Sequence, residues 1–279
     1  MKTKLWSEFF GTFALVFCGT GAIIINDVSR GAITHPGIAL TFGMVVMALI
    51  YTFGDISGAH FNPAVTIAFA AAKRFEARCI GPFIAAQLAG GVCASLLLRL
   101  LFPAHPTLGA TSPRGPALQS LVLEVVLTWL LMLVILNVST GAREKGITAG
   151  IVIGAIIGLE AMFAGPICGA SMNPARSFAP AVVSLHPGAL WLYILGPIAG
   201  ALLAVPTLRL VRGDETPMEM PGIEPVRCQG HCCRCSCQSE RTATRAGTAQ
   251  GRGAWASTSI NPTTEPLRCS NFAGHAAQV

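Results

Sequence analysis

The sequence predicts an all-α membrane protein with six transmembrane helices and two re-entrant half-helices, arranged as an inverted repeat. Three observations lead to this fold class. The 279 residues are 52% hydrophobic and only 11% charged, against roughly 25% charged residues in an average soluble domain. Six apolar runs are long enough to cross a hydrocarbon core of about 30 Å. One short phrase containing Asn-Pro-Ala occurs once in each half of the chain.

The six apolar runs are the predicted transmembrane helices, and charges are nearly absent from them. They are Leu5–Ile25, Gly37–Phe53, Ile80–Leu101, Leu118–Val138, Ile147–Phe163 and Ala189–Leu210. The first run follows Lys2 and Lys4, as the apolar part of a secretory signal peptide would. Glu8 inside the run is unusual for a cleaved leader, and the repeat described below requires this helix, so we expect it to be retained.

Basic residues in short loops predict the orientation, because cytoplasmic loops carry the excess of Lys and Arg. A six-span layout places on one side Lys2, Lys4, Lys73, Arg74, Arg78, Arg143, Lys145, Arg209 and Arg212, against Arg30, Arg99 and Arg114 on the other. Both termini are therefore predicted to be cytoplasmic, in a plasma membrane or bacterial inner membrane. The net charge of +6 follows from this bias and a basic tail, and no basic patch interleaved with aromatic residues indicates nucleic-acid binding.

The composition changes abruptly after Arg212 to Gly, Ser, Thr, Arg, Gln and Pro. Such a segment buries too little apolar surface to offset the entropy of ordering. We therefore predict a membrane domain at 1–211, built from a first repeat at 1–102 and a second at 118–211. Residues 212–279 are predicted to form a disordered, cysteine-rich cytoplasmic tail.

The repeat is visible in two phrases, "GAHFNPAVTIAFA" from Gly58 and "GASMNPARSFAPA" from Gly169. Each half also carries one acidic residue in its first apolar run, Glu8 in the first half and Glu124 in the second. Three spans per half is an odd number, so the second half enters the membrane from the opposite side. Two such halves are related by a pseudo-two-fold axis in the membrane plane.

Each Asn-Pro-Ala is predicted to start a helix, since Asn is a favoured N-cap and Pro suits the first helical position. The apolar stretches that follow, Val65–Ala72 and Ser177–Val183, are too short to span a membrane. Two half-helices from opposite faces meet near the midplane, where their positive N-terminal dipoles oppose cations and protons. The amides of Asn62 and Asn173 are candidate donors to a neutral solute. Backbone carbonyls of the lead-in stretches 54–61 and 165–172 are candidate acceptors.

Glu8 and Glu124 are costly inside a membrane and require a role. Their equivalent positions in the two repeats favour a structural role, holding the re-entrant loops, over a proton relay. Glu160 has no counterpart in the first half, and its role is not assigned.

Over about residues 1–211, the sequence closely resembles the aquaporin and aquaglyceroporin family. The resemblance rests on the two Asn-Pro-Ala tripeptides, which we call the boxes, on the acidic residues Glu8 and Glu124, on the six spans and on Arg176 after the second box. The resemblance implies a homotetramer in which each subunit holds its own pore, with no cofactor, in contact with the lipid bilayer. The pore boxes are Asn62, Pro63, Ala64, Asn173, Pro174 and Ala175. The selectivity filter that the resemblance implies consists of Phe42, Ala161, Ala170 and Arg176.

The predicted filter differs from that of water-selective family members, which usually carry His at the place of Ala161 and Thr or Cys near that of Ala170. Two methyl groups widen the constriction. Glycerol-selective members usually show Trp where Phe42 stands and Asp where Ser177 stands, so the pattern is mixed. "GPICGASMNPARSFAPA" is most similar to plant nodulin-type members and bacterial relatives. This implies a passive channel for water and small uncharged solutes, such as glycerol, ammonia or undissociated metalloid acids, that excludes protons and ions; the alternative is a strictly water-selective channel.

Three further alternatives are less favoured by the residues. A secondary transporter is also built from inverted repeats and broken helices, but beyond the paired acids its coupling-ion site would have only Glu160, Asp55 and His60. An enzyme is disfavoured because the bundle carries no nucleophile–base spacing, phosphate loop or zinc motif. Metal binding by the tail is a weak candidate, since thiolates suit Cu(I) or Zn. Residues 228–237 contain six possible ligands, which are Cys228, His231, Cys232, Cys233, Cys235 and Cys237.

Overall fold

The computed structural model describes residues 1–139 and 143–213, apart from the side chains of 143–146. This part of the chain is helical and contains no strand. Its α-helices are α1 (Lys2–Val28), α2 (Thr34–Ser57), α3 (Pro63–Ala71), α4 (Ile80–Leu101), α5 (Ala117–Val138), α6 (Arg143–Cys168), α7 (Pro174–Val183) and α8 (Leu190–Arg212). The cysteine-rich tail motif from Cys228 lies outside the described residues.

Six of the described helices are long and apolar enough to cross a membrane; five contain their predicted run in full, and the sixth begins at Leu190, one residue after the start of its predicted run. A helix satisfies its backbone hydrogen bonds internally, as the hydrocarbon region requires. We call the end of the bundle where α1 begins and α8 ends the terminal face, and the end that holds residues 102–116 the loop face. At the terminal face Arg212 Nε donates to Asn137 Oδ1 at 2.8 Å. At the loop face Arg114 N donates to Ile167 O at 3.0 Å.

The helices pack in pairs that repeat between the two halves. In the first half α1 packs on α4, and in the second half α5 packs on α8, while α2 and α6 pack against each other. The α2–α6 contact is close because Gly43 and Gly154 face each other, and a Cβ on Gly43 would lie 2.5 Å from the Gly154 carbonyl oxygen. Small residues are typical where membrane helices approach closely. This crossing brings equivalent positions of the two repeats together.

The α1–α4 contact gives a first test of the packing. A Cβ added at Gly90 would overlap the Phe9 carbonyl oxygen, whereas a Cβ at Gly81 of the same helix would meet nothing within 4 Å. We expect Gly90→Ala to lower the free energy of unfolding by about 1–3 kcal/mol, as overpacking does. The matched variant Gly81→Ala should be neutral or stabilising by up to about 1 kcal/mol, because alanine is the better helix former. Thermal unfolding in detergent measures both, and equal melting temperatures would contradict the close contact.

Helices α3 and α7 contain 9 and 10 residues, which at about 1.5 Å per residue is roughly half of a membrane crossing. Both begin at the proline of their Asn-Pro-Ala box, Pro63 and Pro174, with the asparagine as N-cap, as the sequence predicts. The predicted lead-in stretches were too long. Helix α2 continues to Ser57 and α6 to Cys168, so only 58–61 and 169–172 are non-helical before the asparagines.

Candidate functional site

Each asparagine of the two boxes caps the half-helix that follows it. Asn62 is extended, with φ −153° and ψ 120°, and its Oδ1 accepts from Ala64 N. Asn173 has nearly the same backbone angles, and its Oδ1 accepts from Ala175 N at 3.0 Å and Arg176 N at 3.3 Å. The side-chain oxygens thus satisfy helix N–H groups that otherwise lack partners. Both amide NH₂ groups are consequently directed away from the helices.

The two amides hold the opposite halves together. Asn62 Nδ2 donates to Met172 O at 2.7 Å, and Asn173 Nδ2 donates to Phe61 O at 2.9 Å. Each NH₂ carries two hydrogens, so one bond per amide is used for this exchange and a second donor is left. The two half-helix N-termini therefore meet at one place.

Glu8 anchors the first lead-in segment, by which we mean the non-helical residues 58–61; the second lead-in segment is 169–172. Its Oε1 accepts from Ser57 Oγ at 2.7 Å and His60 N at 3.0 Å, and its Oε2 accepts from Phe61 N at 2.7 Å. Gln87 Nε2 on α4 also donates to Glu8 Oε2, at 2.8 Å. Buried polar groups need such partners. The carboxyl group therefore connects α1, α2, α4 and the backbone before Asn62.

Glu124 does the same for the second segment. Its Oε1 accepts from Ser171 N and its Oε2 from Met172 N, both at 2.8 Å. Ser171 Oγ in turn contacts Ser177 Oγ at 2.5 Å, where either atom can be the donor. Ser171 and Met172, whose N–H groups bond the carboxyl group, also line the cavity described below.

The two lead-in segments share an unusual backbone. Three positions in each have positive φ, at equivalent places in the two repeats. They are Gly58 (88°), Ala59 (51°) and Phe61 (49°) in the first and Gly169 (84°), Ala170 (40°) and Met172 (53°) in the second. Positive φ is uncommon outside glycine and persists only where the surroundings impose it. Here the buried carboxyl groups and the crossed amide bonds supply that constraint.

A cavity of about 40 Å³ lies where the half-helices meet. One water molecule needs about 10–15 Å³ of such volume, so the cavity has room for about three water molecules. The lining residues include both box asparagines and all four predicted filter residues; they are Leu15, Phe42, Val46, Asn62, Leu131, Ile157, Ala161, Ala170, Ser171, Met172, Asn173 and Arg176. The cavity is thus mostly apolar with a few polar groups, a composition typical of small-molecule sites.

Arg176 provides the fixed charge of this cavity. The side chain is buried at 3% exposure, and its Nη1 donates to Gly109 O at 3.1 Å. Its guanidinium carbon lies 5.1 Å from the centre of the Phe42 ring, a distance suited to a cation–π contact. The guanidinium therefore lies between the loop 102–116 and the ring of Phe42. Its remaining donors offer fixed hydrogen bonds to an oxygen of a solute.

The other acidic and histidine candidates do not line the cavity. Asp55 is exposed at the end of α2. His60 is buried, with its Nδ1 3.1 Å from Thr66 Oγ1 and its ring stacked on Phe69. Glu160 is 1% exposed, and within the described chain neither of its carboxyl oxygens has a hydrogen-bond partner. Nothing in the structure explains why an acid stands there.

No group of three or more His, Cys, Asp or Glu side chains able to hold a metal ion occurs in residues 1–139 and 147–213. The predicted tail ligands from Cys228 to Cys237 lie beyond these residues. The described part of the chain therefore offers no candidate metal centre.

Three contributors to the site were missed by the sequence reasoning. Gln87 bonds both Glu8 and Thr66 Oγ1, at 2.8 and 3.0 Å, and its signal is an isolated amide within an otherwise apolar run. Ser57 extends the same network. Gly109, which holds Arg176, lies in a connecting loop, where no pattern of spacing marks the carbonyl that is used.

Comparison with known proteins gives one family. The profile of the family described as "Major intrinsic protein" matches residues 1–207. The chain is 46% identical over 216 residues to Aquaporin NIP1-1 of Oryza sativa subsp. japonica, covering 77% of this chain and 76% of that protein. It is 44% identical over 216 residues to Nodulin-26 of Glycine max, covering 77% and 80%. The X-ray structure of the aquaglyceroporin from Plasmodium falciparum has the same fold, with a TM-score of 0.67 at 23% identity over 75% of this chain and 99% of that one.

Proposed function

Since the chain belongs to the major intrinsic protein family and is a passive membrane channel for water and small solutes rather than an enzyme, we propose that its range of solutes includes glycerol and similar small uncharged molecules. The observation that carries this proposal is the presence of two alanines, Ala161 and Ala170, in the lining of the cavity that also contains Arg176. A constriction lined by two methyl groups leaves room for a carbon-bearing solute. Arg176 and the Asn amides offer donors to its hydroxyl oxygens. Ammonia and undissociated metalloid acids are further candidates of the same class.

Exclusion of ions follows from the charges around the cavity. Two half-helix N-termini each contribute roughly half a positive charge, and Arg176 adds a full one. A cation or a proton is repelled there, whereas a neutral molecule exchanges hydrogen bonds with little electrostatic cost. The proposed role of the boxes and of Phe42, Ala161, Ala170 and Arg176 is this combined selection for size and neutrality.

Stopped-flow light scattering on proteoliposomes tests the range of solutes directly. In a gradient of an impermeant osmolyte, we expect the vesicles to shrink rapidly as water leaves. In a separate gradient of glycerol, we expect them to shrink and then to reswell as glycerol enters, whereas protein-free vesicles do not reswell. Urea and arsenite gradients extend the test to other neutral solutes. Passage of water alone would establish the strictly water-selective alternative. Saturable uptake coupled to an ion gradient would instead indicate a secondary transporter.

We further propose that the channel is a homotetramer with cytoplasmic termini in a plasma membrane or bacterial inner membrane, with a membrane domain at 1–211 and a separate tail at 212–279. The tetramer rests on the family resemblance, and the orientation rests on the excess of Lys and Arg at the terminal face. Light scattering coupled to size-exclusion chromatography measures the assembly. Labelling of single introduced cysteines at the two faces measures the orientation, in a background without the exposed Cys18 and Cys93 and without the six cysteines of residues 228–269.

A further inference from the structure

The loop at residues 102–116 is the part of the channel that holds Arg176 from the loop face. Gly109 O accepts from Arg176 Nη1 at 3.1 Å, and Thr111 Oγ1 donates to Ser177 Oγ at 2.8 Å. Arg176 Nε has no partner within the described chain. The position of the guanidinium therefore depends on where this loop places the Gly109 carbonyl.

The backbone at this point is unusual and closely packed. Leu108 and Gly109 have φ of 52° and 72°. Leu108 is fully buried against Ile24 and Leu98, and a Cβ on Gly109 would lie 3.0 Å from the Cβ of Thr20. A positive φ at a leucine needs a specific constraint to persist.

His105 supplies that constraint. Leu108 N donates to His105 Nδ1 at 3.0 Å, so Nδ1 is the unprotonated nitrogen and Nε2 carries the hydrogen. That Nε2 faces Asp27 Oδ2 at 3.3 Å. Arg99 Nη1 on α4 donates to the carbonyl oxygen of His105 at 2.7 Å. The ring is buried, whereas the Asp27 side chain is 54% exposed, which gives protons a route from the loop face.

We propose that His105 is a positioning residue for Arg176, acting through Leu108 and Gly109, and that protonation of its ring releases this hold. The proposal rests on the proposed role of Arg176 in selecting solutes. An imidazolium has hydrogens on both nitrogens, so it can no longer accept from Leu108 N. The loop then loses the bond that fixes the positive φ at Leu108, and Gly109 O no longer has a fixed place beside Arg176.

Two charged groups bear on this step, and they act on different atoms. Asp27 of α1 faces Nε2, whereas Arg99 of α4 contacts the backbone carbonyl. Imidazoles change charge between about pH 5 and 8. A released guanidinium samples the cavity next to Ala161 and Ala170, where it obstructs glycerol more than water.

The test compares glycerol and water permeability of the full-length channel in proteoliposomes, with the same buffer inside and outside, at about pH 7.5 and about pH 5. In the wild type we expect the glycerol-to-water ratio to fall about five-fold on acidification, which is the loss of one hydrogen bond of about 1 kcal/mol. His105→Ala should have the low ratio at both values. His105→Asn retains an acceptor for Leu108 N and does not titrate, so it should keep the high ratio at both. His186→Ala, at an exposed histidine of the same face, should behave as the wild type.

The proposal is wrong if His105→Ala has the same glycerol-to-water permeability ratio as the wild type and the same fall on acidification. It is also wrong if the ratio of the wild type does not change with pH. If His105→Ala does not fold, the contrast between the wild type and His105→Asn on acidification decides the same point. A wild type that carries no glycerol at either pH contradicts the proposed solute range instead. In that case, the role of His105 is tested by the change of water permeability on acidification in the wild type and in the three variants.

Discussion

Narrowing the filter with Ala161→His and Ala170→Cys is expected to reduce glycerol permeability about ten-fold or more while water permeability falls much less. Ala161 and Ala170 both line the cavity that contains Arg176, so we expect larger side chains there to narrow the path of the solute. Forcing a group past overfilled space costs on the order of 1–3 kcal/mol, and about 1.4 kcal/mol is a factor of ten. Cysteine is preferred to threonine at residue 170 because its φ is 40°, where a β-branched side chain is strained. The measurement is stopped-flow light scattering with both solutes on one preparation.

Ala161→Val is the matched control for this experiment. It adds volume at the same position without adding a hydrogen-bond donor, so it separates the steric effect from the polar effect. We expect it to lower glycerol permeability by a smaller factor than the double variant. Equal loss of water and glycerol permeability in the double variant would contradict the assignment of Ala161 and Ala170 to the filter.

Removing the carboxyl group of Glu124 is expected to have the largest effect on stability. Glu124→Leu leaves Ser171 N and Met172 N without their acceptors in a buried place. Each buried unsatisfied donor costs about 1–3 kcal/mol, so the loss is about 2–6 kcal/mol. Glu124→Gln keeps one oxygen acceptor and should lose about half as much. Thermal unfolding of the detergent-purified protein measures the order of the three proteins.

Gln119→Leu is the control for this series, because it places the same residue type at an exposed position of the same helix. It should melt close to the wild type. Glu8→Leu removes the equivalent anchor of the first repeat and should resemble Glu124→Leu. If Glu124→Leu melts with the wild type, the carboxyl group does not hold the second lead-in segment in the way the hydrogen bonds indicate.

Much of the fold is encoded in local patterns that a sequence displays directly. Uninterrupted apolar runs predict the six long helices, and the structure confirms all six. The half-helices are predicted because Asn is a favoured N-cap, Pro suits the first helical position, and the apolar stretch after each box is too short to span a membrane. The structure has both starts where the boxes predict them, with Asn62 and Asn173 as N-caps.

What the sequence does not display is the use of backbone atoms by distant residues. The carbonyl of Gly109 holds Arg176 from 67 positions away, and any residue type has a carbonyl. Helices α2 and α6 end at Ser57 and Cys168, directly before Gly58 and Gly169 with positive φ; this glycine cap is a local signal that the apolar runs alone do not include. Glu160 stays unexplained in both the sequence and the structure, since its carboxyl group is buried without a partner in the described chain.

The crossed bonds of the two box asparagines have a consequence for how the chain is made. Asn62 Nδ2 finds its acceptor 110 positions later, at Met172. At a synthesis rate of about 5–20 residues per second, that acceptor leaves the ribosome roughly 5–20 seconds after the asparagine. During this interval the first repeat has to wait in the bilayer with an unmatched amide. The centre of the channel is thus completed last, by both repeats at once, and a truncated chain ending before residue 172 has no means of closing it.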